Sequence, residues 1–444
     1  MHKKCTKHGA CNYKPVSLTS VLGKTMDRII KSRITLHLES NNLINDTQHG
    51  FRERRSCLTN LLDFFGRVTD IYDEEKAVDI VYLDFKKAFD KVPHERLLKK
   101  LEAHGIRGNL LRWIRVWLTT RKQRVMIDGI KSEWRGVTSG VPQGSVLGPL
   151  LFIIYINDLD TNITSKISKF ADDTKICHKS TTYLDRIELQ EDIDKLVEWA
   201  NTWQMEFNAE KCTILHIGCH NRNYNFTIDN RNLTVVNKQR DLGIAINKDL
   251  KWKEHINNSI RKARNVIGFI GRNFHYKGKD IVLPLYKALV RPHLEFAVQL
   301  WSPHYHGDIE KMEKVQRKAT KMIPCLRNKR YLERLEELEL TTLEQRRLRG
   351  QLIETFKYLR GFTRANPAGL FDLDDNGRTR NNGQKLKIRA SRTTIKQKFY
   401  PTTIVSSWNN LPANVVGANS VNTFKNRLDE YWTINAPTLQ LAHT

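Results

Sequence analysis

Two adjacent carboxylates, Asp172 and Asp173, stand in the run Ile167-Ser-Lys-Phe-Ala-Asp-Asp-Thr-Lys-Ile-Cys177, and a third, Asp84, ends the apolar run Ala77-Val-Asp-Ile-Val-Tyr-Leu-Asp-Phe85. Strand-forming residues flank both places, which predicts carboxylates at strand ends or on a tight turn of one sheet. Three carboxylates gathered in this way repel one another unless a cation sits between them. A hard divalent ion with oxygen ligands, Mg²⁺ above all, suits such a set, with water and substrate phosphates completing its shell. Two such ions can activate an attacking hydroxyl and stabilise the leaving oxygen of an in-line phosphoryl transfer. The first reading is therefore a nucleotidyl transferase. An Asp-Asp pair by itself is also an ordinary solvated hairpin, because both residues tolerate turn geometry, so the company these residues keep must decide.

The elements that would position them follow from periodicity. Leu22, Met26, Ile29, Ile30, Ile34 and Leu38 predict one amphipathic helix over 22–43, and 58–71 reads as a second. The strand ending at Asp84 follows. Pro93 opens and Gly105 closes a helix with Leu97, Leu98 and Leu101 on one face, and Leu110 to Leu118 carries another apolar stripe. Val125 to Ile130 holds an Asp-Gly hairpin signal. A helix over 149–159, the Asp172–Asp173 hairpin, a helix through Leu189, Ile193 and Leu196, and a strand Thr213 to Ile217 complete an alternating α+β layout. Beyond residue 250 the pattern turns helical, with segments at 256–270, 281–291 and 308–323 that set basic faces beside apolar stripes. Residues 362–395 read as a loop or linker, and Phe399 to Trp432 as a small ordered element.

Across 444 residues, 74 Lys and Arg against 48 Asp and Glu leave a formal charge of +26. That surplus favours a polyanionic partner, bound with salt-sensitive affinity. The most apolar run, Val146 to Leu159, is broken by Gly148, Pro149, Asn157 and Asp158, which excludes a membrane-spanning segment there. Seven cysteines without a Cys-x-x-Cys pair fit free thiols rather than a disulfide framework. The sets Cys5, His8, Cys11 and Cys212, Cys219, His220 lack zinc-finger spacing.

Seven landmarks occur in a fixed order: Tyr13-Lys-Pro-Val-Ser-Leu18, Gln48-His-Gly-Phe-Arg52, Leu83-Asp-Phe-Lys-Lys-Ala-Phe-Asp90, Ser139-Gly-Val-Pro-Gln-Gly-Ser-Val-Leu-Gly-Pro149, Tyr155-Ile-Asn-Asp-Leu159, Phe170-Ala-Asp-Asp173 and Phe207-Asn-Ala-Glu-Lys211. Together they resemble the reverse transcriptase domain of non-LTR (LINE-type) retrotransposons, in particular the jockey-like group, over about residues 3–245. Trp408-Asn-Asn-Leu-Pro412 through Thr423-Phe-Lys-Asn-Arg-Leu428 is similar to the end of that group's polymerase.

The resemblance implies an α+β right-hand polymerase: partial fingers in 1–75, a palm of antiparallel sheet flanked by helices in 76–245, a helical thumb in 246–345 and a small basic C-terminal region in 346–444. It implies RNA-directed DNA synthesis from a primer 3′-hydroxyl, with an RNA template, a DNA primer and dNTPs as partners, no membrane, and a nuclear place of work. Asp84, Asp172, Asp173 and the Phe85 carbonyl would hold two Mg²⁺ ions, for which Mn²⁺ could substitute. Phe89 falls at the sugar-gate position, where a bulky ring clashes with a 2′-hydroxyl. Lys87 and Ala88 beside it, together with Gln143 and Gly144, belong to the nucleotide-binding set. Lys14 stands where the family usually has Arg, offering a point charge in place of a fork. Arg52 and Arg55 lie in a fingers motif expected to meet template or triphosphate, and Lys211 in one proposed to protonate the departing pyrophosphate. Nothing in the chain corresponds to the group's endonuclease, and the chain starts inside the first polymerase motif, so a fragment of an element's second open reading frame is expected. Two rivals stand beside this reading: a non-catalytic nucleic-acid-binding remnant, and a domesticated or telomerase-like enzyme serving one template.

Overall fold

The computed structural model describes residues 16–127, 129–364, 370–374 and 383–440. Lys14 and Asp128 lie outside them, as do Cys5, His8 and Cys11. The chain clusters into two compact units. One holds residues up to Ser56, Val78–His216 and His220–Val236; the other holds Cys57–Ala77, Ile217–Cys219 and the chain from Asn237 onward. The helix at 57–75, grouped with the fingers by sequence order, thus belongs to the second unit.

The first unit is built on a mixed sheet of five strands: β1 (Val78–Leu83), β2 (Lys166–Phe170), β3 (Asp173–Lys179), β4 (Thr213–Ile217) and β5 (Thr234–Val235), in the order β5-β4-β1-β3-β2. β3 runs antiparallel to both β1 and β2. The edge pair β5 and β4 is parallel, which departs from an all-antiparallel palm. The long connection 218–233 allows it, since a same-direction return needs a dozen or more residues of crossover. Every residue of β1 is buried, the signature of a strand covered on both faces. Helices His94–Ala103, Gly148–Tyr155 and Tyr183–Thr202 join this core, and Gly148–Tyr155 is apolar all round because it is enclosed, with Leu150 to Tyr155 each at most 1% exposed.

The first predicted helix forms as Val21–Ser40, capped by Ser20, whose hydroxyl accepts from the Gly23 N–H at 3.0 Å. Its apolar stripe is covered only in its second half. Ile34 and Leu38 are buried, whereas Leu22 is 84% and Ile29 62% exposed. Periodicity marks which side of a helix is apolar and says nothing about whether another element covers it.

In the second unit the helices include Cys57–Glu75, Lys253–Asn273, Lys279–Leu285, His306–Thr320, Leu343–Leu359, Tyr400–Asn409 and Val421–Gln440, beside an antiparallel ribbon Lys238–Asp241 with Ile244–Asn247. Pro284 cannot donate to the ladder, and the turn after it widens into a π-helical one, Tyr286–Val290. The expected linker 362–395 is ordered where it is described. Leu370, Phe371 and Leu386 are buried, and Arg389 forms a two-pronged ion pair with Asp372. Its few apolar residues are enough to anchor it, although its composition reads as loop. Trp408 and Phe424 are fully buried and Phe424 stacks on Phe356 at 4.3 Å, as the aromatic content of the last segment predicts. Among the described residues no helix is long and apolar enough to cross a membrane.

Candidate active site

Asp84 is the first residue past β1. Leu83 pairs with Thr174, so the same register brings Asp84 level with Asp173, roughly 5 Å apart between Cα atoms. Phe170 pairs with Asp173, which leaves Ala171 and Asp172 as the two-residue turn joining β2 to β3. Ala171 has a left-handed φ of 55°, a conformation that costs an alanine about 1 kcal/mol and that glycine takes freely. Asp172 is half-buried and Asp173 exposed. All three predicted carboxylates therefore share one end of the β1–β3 pair.

On the other side of β1, the Asn208 N–H donates to the Asp84 carbonyl at 2.7 Å and the Lys86 N–H to the Glu206 carbonyl at 2.8 Å. These bonds bracket Phe85, so its own carbonyl faces away from 206–208, towards the side of the Asp172–Asp173 turn. The Phe85 and Phe207 rings stack at 4.4 Å and hold that arrangement. The register thus sets three carboxylate-bearing residues and one peptide oxygen at one strand end, and oxygen donors of this kind suit a hard divalent cation.

The Lys211 ammonium lies 3.3 Å from an Asp84 carboxylate oxygen, with 63% and 42% of the two side chains exposed. A pair so solvated adds little stability, and it leaves Asp84 open to a competing cation. Cys212, whose spacing from Cys219 and His220 does not suit zinc, sits beneath the same aspartate; its sulfur accepts from the Asp84 N–H at 3.5 Å. Burial, with Asp84's charge as a lesser contribution, pushes this thiol up to about 11. It stays protonated and adds no negative charge to the cluster.

The expected nucleotide-binding residues on the other flank also converge. Lys87 (φ 51°) caps the short helix Ala88–Lys91, on which the Phe89 ring stacks against Phe152 at 4.3 Å and meets Phe51 edge-on. The Val141 N–H donates to the Phe89 carbonyl, and the Gln143 side-chain amide donates to Asp90 at 3.0 Å. Gln143 Oε1 is buried with no hydrogen-bond partner among the described residues, an acceptor waiting for a donor. Gly144 has φ 96°, and a Cβ there would stand 3.1 Å from the Ser17 carbonyl oxygen. The Ser17 N–H donates to the Gln143 carbonyl at 2.7 Å, so the described end of the first landmark, 16–18, meets the Pro-Gln-Gly landmark.

Residues 3–260, more than half of the chain, match the family described as reverse transcriptase (RNA-dependent DNA polymerase). The chain belongs to this reverse transcriptase family. Among curated proteins it is similar to the RNA-directed DNA polymerase from mobile element jockey of Drosophila funebris, 29% identical over 325 residues, covering 70% of this chain and 35% of that protein. It is also similar to the probable RNA-directed DNA polymerase from transposon X-element of Drosophila melanogaster, 25% identical with the same coverage. The chain spans about a third of the length of these relatives. A solved telomerase from Candida tropicalis, in complex with a fragment of telomeric RNA, is 9% identical with a TM-score of 0.41 over 92% of this chain and 56% of its own, too distant to argue from.

Not every expected residue of this reverse transcriptase joins the carboxylates. Arg52 forms a two-pronged pair with Glu39 at 3.0 Å, donates to the Asn45 carbonyl at 2.9 Å, and has only 5% of its side chain exposed. Arg55 is engaged with Asp46. Away from this site, His178, Asp185 and Glu188 stand close enough to hold a metal. There Asp185 is already committed to the Thr181 and Thr182 N–H groups and to Lys179, as part of the helix cap.

Proposed function

We propose that this chain is the polymerase portion of a non-LTR retrotransposon's RNA-directed DNA polymerase, extending a DNA primer on an RNA template with dNTPs. The observation that carries the reading is the register that sets Asp84 beside Asp173, with Asp172 on the adjoining turn. In this reading Asp84, Asp172, Asp173 and the Phe85 carbonyl hold two Mg²⁺ ions, or Mn²⁺ in their place. When bound, the ions supply a Lewis acid at the transferring phosphate and lower the cost of ionising the primer hydroxyl. The chain's own groups do the rest. Phe89, braced by Phe152, lies beneath the sugar and excludes a 2′-hydroxyl. The unsatisfied Gln143 Oε1 accepts from the incoming nucleotide or the template base. Gly144 lets the backbone come close, and Lys87 and Ala88, with Lys14, line the triphosphate. Arg52, held by its two-pronged pair with Glu39, stands in the fingers motif that would meet template or triphosphate. Lys211, paired with Asp84 at 3.3 Å, is the group that would give a proton to the departing pyrophosphate.

The fingers (1–75), palm (76–245), thumb (246–345) and basic C-terminal region (346–444) are part of this proposal, as is action in the nucleus. A non-catalytic nucleic-acid-binding remnant is the second reading; the uncovered apolar half of Val21–Ser40 favours it. Primer extension on a primed RNA template with four dNTPs and Mg²⁺, beside Asp172→Ala, separates the two. DNA synthesis by the parent and none by the variant supports the polymerase. No synthesis by the parent, with tight salt-sensitive binding to the same template, supports the remnant.

A further inference from the structure

The Gln48-His-Gly-Phe-Arg landmark lies far in sequence from the carboxylates, yet it grips their turn directly. The Gln48 side chain is fully buried, and its Oε1 accepts two backbone N–H groups: Ala171's at 2.9 Å and Gly50's at 2.7 Å. Its Nε2 has no partner among the described residues, so those two bonds alone orient the amide. The strap also zips onto β2, with the His49 N–H donating to the Lys169 carbonyl at 2.9 Å and the Lys169 N–H to the Thr47 carbonyl at 2.8 Å. A Cβ on Gly50 would collide with the Ala171 nitrogen and come within 3.1 Å of the Phe170 carbonyl carbon. Below, the fully buried Lys169 ammonium bonds the Asn157 carbonyl at 2.9 Å and Asp160 at 3.1 Å, and the Thr47 hydroxyl donates to Asp160.

The residue receiving Gln48's bond is the one with the unfavourable φ. Ala171 sits at 55° and has no side chain able to hold itself there, so the conformation persists only if its surroundings impose it. Among the described residues the acceptor on its N–H is the Gln48 amide oxygen, and the nitrogen of that amide has no partner.

We infer that Gln48 and Gly50 are positioning residues for the metal-binding turn: Gln48 Oε1 clamps the Ala171 N–H, Gly50 makes room for the approach, and Asp172 and Asp173 are thereby held in register with Asp84. The inference rests on the metal-binding role proposed for those aspartates. It makes Gln48 and Gly50 a device for metal affinity.

The test uses Gln48→Met, close in shape but without the acceptor, beside Gln48→Glu, which keeps an acceptor oxygen, and the double variant Gln48→Met/Ala171→Gly. Hydrogen exchange without metal reads the turn itself. In Gln48→Met the Ala171 amide should exchange about ten-fold faster, the loss expected for one buried hydrogen bond, while the β1 amides keep their protection. Mn²⁺ binding, followed by the electron spin resonance of the free ion, should weaken by about the same factor. Gln48→Glu should stay near the parent, and Ala171→Gly, which relieves the backbone, should restore most of the Mn²⁺ affinity in the double variant. Unchanged exchange at Ala171 together with unchanged Mn²⁺ affinity in Gln48→Met would overturn the inference. So would weakening that Ala171→Gly leaves unrepaired, because the strap would then act on something other than the turn. A parent that binds no Mn²⁺ fails the metal reading instead, and the exchange data still decide whether the strap holds the turn.

Discussion

Two aspartates of one run, Asp79 inside β1 and Asp84 just past its end, look alike in sequence and meet opposite fates. Asp79 is fully buried and accepts from three groups: His216 at 2.6 Å, Asn221 at 2.7 Å and Ser180 at 2.8 Å. Asp84 is 42% exposed, and its carboxylate has one solvated lysine at 3.3 Å. A carboxylate saturated with protein donors is committed to holding the fold, since removing any partner leaves buried charge uncompensated. A carboxylate left half-open at a strand end, held by one solvated lysine, is available to a cation from solvent. Incomplete satisfaction marks the working end of the strand.

The sharpest way to break this comparison is to exchange the losses. Asp84→Ala should lower primer extension by about a thousand-fold or more, the several kcal/mol that a lost metal ligand costs the transition state, while its urea unfolding midpoint stays that of the parent. Asp79→Ala should do the reverse. It should lose about 3–5 kcal/mol of stability in urea titration while activity per folded molecule survives. If Asp79→Ala folds normally but is inactive, the two ends do not divide the work.

Lys211→Ala refines the open end. As a proton donor, Lys211 should take about a hundred-fold of kcat with it and spare the KM for dNTP. If Lys211 is merely Asp84's counter-ion, kcat should hold and divalent-metal affinity should rise. Phe89→Val should be milder, raising ribonucleotide incorporation relative to dNTP by about ten-fold in single-nucleotide extension, with a modest stability loss from the broken stack on Phe152.

The smallest effect carries the idea of a committed group into the second unit. His255 is buried against Trp301, and its Nδ1 accepts from the Ala245 N–H at 3.1 Å, which requires a neutral ring. Burial, with Lys262 adding to it, holds its pKa down to about 4 from 6.5. The unfolded chain takes up a proton near 6.5 and the folded chain only near 4, so this share of stability is complete above pH 6.5 and drains away as pH falls towards 4. Urea midpoints at pH 7 and pH 5 should differ, and His255→Gln should narrow the gap.

Much of this protein was legible in its sequence because the signals are local. Alternating and 3.6-residue apolar patterns place β1, β4, the helix closed by Gly105 and the helices beyond 250 within a few residues of where they form. The Asp-Asp turn was readable because a hairpin and its carboxylates lie in one short segment. Illegible were the partners that distant chain supplies. The apolar stripe of Val21–Ser40 could not announce that Leu22 and Ile29 go uncovered. Arg52 carries the charge of a ligand-binding residue, yet Glu39 claims it. Cys212 gave no sign of lying under Asp84.

The sequence by itself determined the chemistry available here: the oxygen donors, their strand-end and turn settings, the bulky ring after them and the cationic surplus, because side-chain type and local backbone preference are properties of short segments. Only the tertiary structure decided which of those groups are free to work. Burial and hydrogen-bond partners come from residues far apart in the chain, and it is those partners that close Asp79, leave Asp84 open, and put Gln48 against the turn that carries Asp172 and Asp173.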